Sequence, residues 1–166
     1  SGGLHGVGVS CVNALSDWLE ATVKRDGHIY RQTYARGIPK SKVEVIGDTD
    51  EHGTSIRWKA DKSIFTVTTT YDWDVLIQRL KELAFLNSGI VITFRDERLE
   101  NPKEEVLKYE GGIVHYVKEL NSKAKLTYPE EPIYITGERD DVITELAFQY
   151  NETYSENIHT YVNDIR

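Results

Sequence analysis

The spacing of apolar residues changes along the first half of the chain and predicts a helix followed by a β-meander. Val9, Val12 and Leu15 recur at helical spacing, which predicts a first helix from about residue 7 to residue 16. Two strand-like runs, WLEATVKR and HIYRQTYAR, then flank the Asp-Gly pair at 26–27, a dipeptide typical of tight β-hairpin turns. The alternating runs KVEVIG and GTSIRWKAD extend this pattern, so further strands of the meander follow.

A second helix is predicted over residues 73–86, because leucines recur on one face and capping residues stand at both ends. Asp72 is a suitable N-cap, and Asn-Ser-Gly at 87–89 is a suitable stop. The leucines of this face are Leu76, Leu80 and Leu83. The run IVITFRDE predicts a strand after the helix, whereas the charged, proline-containing segment RLENPKEEVLK predicts a loop or a ragged hairpin near a boundary.

A new unit is predicted to start at the sequence EGG, residues 110–112. Beyond it, four apolar residues mark one face of a short helix: Ile113, Tyr116, Val117 and Leu120. The runs PIYITGERDDVITELAFQYN and ENIHTYVND then predict another strand meander. The pattern as a whole predicts an α+β chain with one domain over residues 1–109 and a second over residues 110–166.

Composition and charge narrow the class of protein. Twenty basic residues stand against 27 acidic ones, and the net charge of -7 argues against a stand-alone, non-specific nucleic-acid binder, although not against a role inside a larger DNA machine. The single cysteine, Cys11, has no partner for an internal disulfide. No apolar run approaches the ~20 residues that span a bilayer, so we expect a cytoplasmic protein without a membrane partner. The absence of methionine indicates a piece of a longer protein.

The opening sequence SGGLHGVG places four glycines before and at the start of the first predicted helix: Gly2, Gly3, Gly6 and Gly8. A P-loop is excluded, because it needs a lysine after its glycines and the first lysine of the chain is Lys24. A dinucleotide fingerprint is excluded as well, since its third glycine would stand where Cys11 does. Two interpretations stay open, namely a turn whose amides bind phosphate at a helix N-terminus and a flexible terminal segment.

Other catalytic chemistry has little support in the sequence. The histidines stand too far apart for metal-ligand spacing: His5, His28, His52, His115 and His159. Ser10 and Cys11 lie on a predicted helix with no base near them in sequence, which favours a packing role over a nucleophile. We therefore assign no catalytic residue and no metal ligand within the chain.

The sequence SGGLHGVGVSCVNALS resembles the glycine box of the GHKL ATPases, a superfamily that includes type II topoisomerases, histidine kinases, mismatch-repair ATPases and chaperones. HGTSIRWKADKSIF is similar to the Gly-Thr strand of that family and its following segment, with Ala60 where a proline is usual. Further similar stretches are RLKELAFLNSGIVITFRDER, YEGGIVHYVKELN, EEPIYITGE and AFQYNETYSENIHTYVNDI. Together they cover essentially the whole chain and are most similar to the gyrase B branch of the bacterial type IIA topoisomerases.

This resemblance implies a fold for each domain. Residues 1–109 would form the C-terminal part of a GHKL (Bergerat) ATPase sandwich with a mixed sheet. Residues 110–166 would form the first part of an α/β transducer domain.

The resemblance also implies an ATP-binding role for individual residues. Main-chain amides of five residues would meet the β- and γ-phosphates of ATP: Leu4, His5, Gly6, Val7 and Gly8. Gly2 and Gly3 would act as the hinge of a lid. Val9 and Ile56 would line the adenine pocket, and Thr54 would join water-mediated hydrogen bonds around the adenine. Arg25 matches a position at which aminocoumarin inhibitors make a polar contact.

By the same resemblance, the parent protein would use ATP and Mg²⁺ to drive DNA strand passage and negative supercoiling. Its partners would be DNA, the gyrase A protein and a second copy of itself. The catalytic carboxylate and the Mg-binding Asn of the family lie before SGGLHGVG, and a phosphate-binding Lys lies beyond Arg166. The chain alone is therefore expected to be inactive and to hold no tightly bound cofactor. The alternatives are the equivalent ATPase of topoisomerase IV, which EEPIYITGE disfavours, and a non-catalytic interaction module.

Overall fold

The computed structural model describes residues 6–162, which divide after Thr70 into two compact units. The helices are α1 (Val7–Ala14), α2 (Trp73–Leu86) and α3 (Gly112–Leu120). The strands of the first unit are β1 (Ser16–Arg25), β2 (His28–Ala35), β3 (Ile38–Pro39), β4 (Glu44–Asp48) and β5 (Gly53–Ala60). The strands of the second unit are β6 (Val91–Asp96), β7 (Lys103–Lys108), β8 (Thr127–Arg139) and β9 (Val142–Asn151).

The first unit is built on a five-stranded sheet with β1 and β2 at its centre. The path through the sheet runs β3-β2-β1-β5, and β4 pairs with the other half of the β2 edge. The β1–β2 turn has positive φ at both central residues, 53° at Asp26 and 82° at Gly27, as a type I′ hairpin turn requires. The Asp-Gly hairpin predicted from the sequence is therefore confirmed.

Strand direction differs from one expectation. The α+β class is confirmed, but the sheet was expected to be mixed, and every strand pair recorded within residues 6–162 is antiparallel. Short connections explain this result for the pairs that are consecutive in sequence, because a parallel pair needs a crossover of about a dozen residues or more. The pairs β1–β5 and β2–β4 are not consecutive, and they are antiparallel as well.

The helix α1 confirms the first predicted helix and ends against the turn that follows β2. Gly37 in this turn has φ +80°, and a Cβ at Gly37 would lie 3.4 Å from the Cα of Ala14. The β2–β3 turn therefore approaches the C-terminal end of α1 closely, at a position where a larger residue would be both strained and crowded.

The second unit has its core between α2 and the β6–β7 hairpin. The helix α2 has the predicted bounds, and its N-cap Asp72 accepts a hydrogen bond from the Val75 amide at 3.0 Å. Its buried apolar residues are Ile77, Ala84 and Phe85, and Leu107 of β7 is buried with them. The three predicted leucines are only half-buried, so the core face is turned by about one residue, or ~100°, from the predicted one.

The hairpin β6–β7 is more regular than the sequence indicated. Lys103–Lys108 was expected to be a loop or a ragged hairpin, and it pairs residue by residue with Val91–Asp96. Leu107 anchors the strand in the core at 1% exposure, although the strand around it is charged. The burial of one side chain and a complete hydrogen-bonded ladder therefore favour a regular strand at β7 in spite of its polar composition.

The last elements are α3 and the long hairpin β8–β9. The ring of Tyr116 on α3 stacks on Phe85 of α2 at a centroid distance of 5.0 Å, so α3 packs against the core of the second unit. The ladder between β8 and β9 shifts register between Tyr128 and Ile133. The run ENIHTYVND, expected to form a strand, contains no regular strand over its described part, residues 156–162. No helix in the described part of the chain is long and apolar enough to cross a membrane.

Arg98 holds together the turn that follows β6. Its guanidinium donates to both carboxylate oxygens of Asp96, at 2.8 and 2.5 Å, and to the carbonyl of Tyr71 at 2.7 Å. The hydrogen bond from the Arg98 side chain lowers the pKa of Asp96 from 3.8 to about 2. The ionised carboxylate is therefore the form that the folded turn prefers.

We predict that Asp72→Ala destabilises α2 by ~1 kcal/mol, because the amide of Val75 loses its capping acceptor. Urea unfolding followed by circular dichroism measures the loss. Asp72→Ser is the matched control, since its hydroxyl can accept the same bond and should retain most of the stability. Equal stability of Asp72→Ala and the unsubstituted chain would contradict the assignment of the cap.

We also predict a pH dependence that involves Asp96. Its pKa is lower in the folded chain, so the stability that it contributes is present above its ordinary pKa of 3.8 and is lost as the pH falls toward about 2. Asp96→Asn should reduce the free energy of unfolding near neutral pH and flatten its decline below pH ~4. Asp74→Asn, at an exposed acid on α2, is the control. An unchanged slope in Asp96→Asn would refute the prediction.

Candidate functional site

The N-terminus of α1 begins at a glycine in a left-handed conformation. Gly6 is the N-cap with φ 76° and ψ 6°, and among residues 6–162 no side chain caps the first amides of the helix. Residues 6–10 are all exposed. The first N–H groups of a helix have no partner within the helix, and the helix dipole makes this end partly positive. The arrangement suits an anion such as a phosphate group.

The structure explains the presence of one of the two described glycines in this segment but not the other. Gly6 adopts a left-handed conformation that a residue with a Cβ rarely takes. Gly8 lies inside the helix, and a Cβ there would have nothing within 4 Å. The fold therefore explains Gly6 but does not explain Gly8.

The remaining predicted phosphate contacts fall partly outside the described residues. Val7 is the first residue of α1, next to Gly6. Gly2, Gly3, Leu4 and His5 lie outside the described residues, and their roles stay predictions.

Three predicted site residues lie on the same face of the first sheet. Thr54 of β5 pairs with Val23 of β1, and Ile56 pairs with Ala21. Side chains of directly paired residues share a face, and residues two apart on a strand do as well. Arg25, two residues after Val23, therefore belongs to the face of Thr54 and Ile56. Thr54 is exposed and Ile56 is half-buried.

Val9, the other predicted adenine contact, lies on α1 and not on the sheet. The residue is 51% exposed, and α1 itself packs against β1 and β2. The structure thus places the predicted adenine contacts on β5 and α1, two elements attached to the same central strand. The predicted inhibitor contact, Arg25, is 67% exposed, and its Nε donates to Asp26 at 3.0 Å.

Sequence reasoning missed a polar junction at the other end of α1. Asp61, directly after β5, is 3% exposed and accepts hydrogen bonds from the amide and the hydroxyl of Ser63 at 2.8 and 2.7 Å. Arg36 Nε lies 2.6 Å from Asp61 Oδ2. The Ser63 hydroxyl, the Ser63 amide and then Arg36 lower the pKa of Asp61. The available signals were Ser63 two residues after an acid and a glycine directly after Arg36, both typical of turns.

The described residues offer anion-binding amides but no preformed metal centre. No group of three or more His, Cys, Asp or Glu side chains that could hold a metal ion occurs between residues 6 and 162.

The comparison of sequences identifies relatives along the whole chain. The DNA gyrase B protein of Treponema pallidum (strain Nichols) is 54% identical over 165 residues, which are 99% of this chain and 26% of that protein. The gyrase B protein of Staphylococcus epidermidis is 53% identical with the same coverage. A family model described as DNA gyrase B matches residues 112–166.

The comparison of structures agrees with the sequence relatives. The 43K ATPase domain of Thermus thermophilus gyrase B, solved in complex with an aminocoumarin, superimposes with a TM-score of 0.78 at 33% identity. The match covers 90% of this chain and 40% of that chain. The 166-residue chain spans about a quarter (26%) of the length of the sequence relatives it matches, and it belongs to the family of bacterial DNA gyrase B proteins.

Proposed function

We propose that this chain forms part of the ATP-binding component of a DNA gyrase, an ATP-hydrolysing type II topoisomerase that drives strand passage and negative supercoiling. The support is identity above half over 99% of the chain to gyrase B proteins, together with the uncapped N-terminus of α1. Residues 1–109 would complete the ATPase domain, and residues 110–166 would begin the transducer domain. The relatives reported above are gyrase proteins, which favours gyrase over topoisomerase IV.

In this proposal the start of α1 binds the phosphates of ATP. Amides of five residues would meet the β- and γ-phosphates: Leu4, His5, Gly6, Val7 and Gly8. The observation that supports this assignment is the left-handed cap at Gly6, which brings no side chain of its own to the first helix amides, a group of donors that suits a phosphate. Gly2 and Gly3 would allow a lid to close over the nucleotide.

In this proposal the adenine of ATP and an aminocoumarin inhibitor bind on one face of the first sheet. Thr54 and Ile56 share a face of β5, and with Val9 they would surround the adenine through a hydroxyl and apolar side chains. Arg25 lies on the same face with an exposed guanidinium, which offers forked donors to a carbonyl-rich inhibitor. The related Thermus thermophilus domain is described in complex with an aminocoumarin, which supports testing this class of compound.

Other parts of the mechanism would come from outside this chain. From the resemblance to the GHKL ATPases, we propose that Mg²⁺ is held by the ATP phosphates and by residues of the full-length protein outside these 166. The water-activating carboxylate would lie there too, and the chain alone should neither hydrolyse ATP nor bind it tightly. Cytoplasmic location, dimerisation of the full-length protein, and association with DNA and the gyrase A protein belong to the same proposal.

We predict that Gly8→Ala in the full-length protein weakens binding of a non-hydrolysable ATP analogue by about tenfold, or ~1.4 kcal/mol. The added methyl group meets no protein atom within 4 Å, so the fold should tolerate it and the loss should report on the approach of phosphate. Calorimetric titration measures the affinity, and thermal unfolding checks that stability is retained.

The control for this experiment is Ser10→Ala, an exposed position on α1 two residues further along. It adds no bulk at the helix start and should leave the affinity unchanged. If Gly8→Ala bound the analogue as tightly as the unsubstituted protein, phosphate binding at this helix would be refuted.

We predict that Arg25→Gln weakens aminocoumarin binding more than ATP turnover, because the inhibitor loses a charged, forked donor that ATP does not need. Inhibitor affinity and steady-state ATPase rates of the full-length protein provide the two measurements. Lys24→Gln is the matched control, since Lys24 is adjacent but lies on the opposite face of β1 and pairs with Glu51. Equal losses of inhibitor binding and turnover in Arg25→Gln would show a structural role for Arg25.

A further inference from the structure

Two backbone hydrogen bonds connect the junction between α1 and β1, at Leu15 and Ser16, to segments that are distant in sequence. The Asp61 amide donates to the carbonyl of Leu15, and the Arg36 amide donates to the carbonyl of Ser16, each at 3.0 Å. The Ser16 hydroxyl also donates back to the carbonyl of Val12 at 2.6 Å. The end of α1 is therefore held by the residue after β5 and by the turn after β2.

The side chains of Arg36 and Asp61, whose amides make these backbone hydrogen bonds, also contact each other. Arg36, whose φ is +50°, forms an ion pair with Asp61 in which Nε lies 2.6 Å from Oδ2, and its Nη2 donates a long hydrogen bond to Oδ1 at 3.5 Å. The Asp61 carboxylate is 4% exposed and the Arg36 side chain 61% exposed. A buried carboxylate that loses its charged partner is costly, so the pair favours one relative placement of the two segments. We call this set of contacts the Arg36–Asp61 clasp.

Among the described residues, the other elements that α1 packs against are β1 and β2. The helix is eight residues long, and none of its residues is buried. A helix held mainly at its C-terminal end can tilt about that end. At 1.5 Å per residue the lever is ~12 Å, so a tilt of ~10° displaces the N-terminus by ~2 Å. Amide–oxygen hydrogen bonds need N···O distances of about 2.7–3.2 Å, and such a displacement breaks them.

We propose that the Arg36–Asp61 clasp is a positioning device for nucleotide binding: it holds α1 at its C-terminal end and thereby sets the place of the amides at Gly6–Gly8. This inference rests on the proposed function, because it needs a phosphate ligand at that helix. Arg36 and Asp61 touch no nucleotide in this scheme and act through the direction of α1.

The first test uses the 166-residue chain without nucleotide. Amide hydrogen exchange is measured by NMR in Arg36→Gln, Asp61→Asn and the double variant. We expect exchange of the amides of Leu15, Arg36 and Asp61 to accelerate about tenfold, while the β1–β2 ladder changes by less than about twofold. The double variant should be no faster than either single variant, because the two residues act as one unit.

A matched ion pair in the same sheet provides the control. Glu44→Gln removes the pair between Glu44 on β4 and Arg31 on β2, whose atoms lie 3.7 Å apart and which makes no bond to α1. It should leave exchange at Leu15 unchanged. If the clasp variants accelerated exchange equally in the ladder and at the end of α1, the pair would be a general stabiliser and the proposal would be wrong.

The second test measures affinity for a non-hydrolysable ATP analogue in the full-length protein. Arg36→Gln and Asp61→Asn should weaken it about tenfold, Glu44→Gln should not, and Arg36→Lys, which keeps the charge, should recover most of the loss. Faster exchange with unchanged affinity would overturn the positioning role. An unsubstituted full-length protein that bound no nucleotide would instead refute the proposed function, and the exchange pattern would still show whether α1 depends on the clasp.

Discussion

The pairing of β1 with a neighbour on each side is the constraint on which the first unit depends. The ladders with β2 and β5 fix the register, and the register decides which face each side chain occupies. A slip of β5 by one residue would move Thr54 and Ile56 to the opposite face, and a slip of β1 would turn Leu19, now 3% exposed, to the other side of the sheet. Since α1 packs on the same two central strands, one hydrogen-bonded framework supports both halves of the candidate site.

Features encoded locally could be predicted from the sequence. The hairpin at 26–27 depends on two residues that accept positive φ, and the bounds of α2 depend on Asp72 and on the apolar period of the helix itself. The start of α1 follows from the same logic, because Gly6 takes a conformation that few other residues adopt. The resemblance of the glycine-rich segment to ATPases added the functional hypothesis that spacing alone left open.

Features that depend on distant contacts could not be predicted in this way. Arg36 and Asp61 are 25 residues apart, and neither belongs to a recognisable ligand pattern, so their clasp becomes visible only when the strand ends meet. The regular ladder of β7 depends on the burial of Leu107 against α2, which its charged neighbours conceal. The domain boundary at residue 110 stays a prediction, and the two compact units of the structure divide after Thr70 instead.

Gly6 and Gly8 stand two residues apart, and selection for folding and selection for function would act on them differently. The left-handed backbone at Gly6 favours glycine whatever binds there, so a chain without the proposed phosphate site would still need Gly6 in order to fold. Gly8 has free space around it and a helical backbone that alanine favours by ~1 kcal/mol. Under the proposed function, a lineage that lost nucleotide binding should replace Gly8 by alanine early and retain Gly6, so the two positions together would record that loss in the sequence.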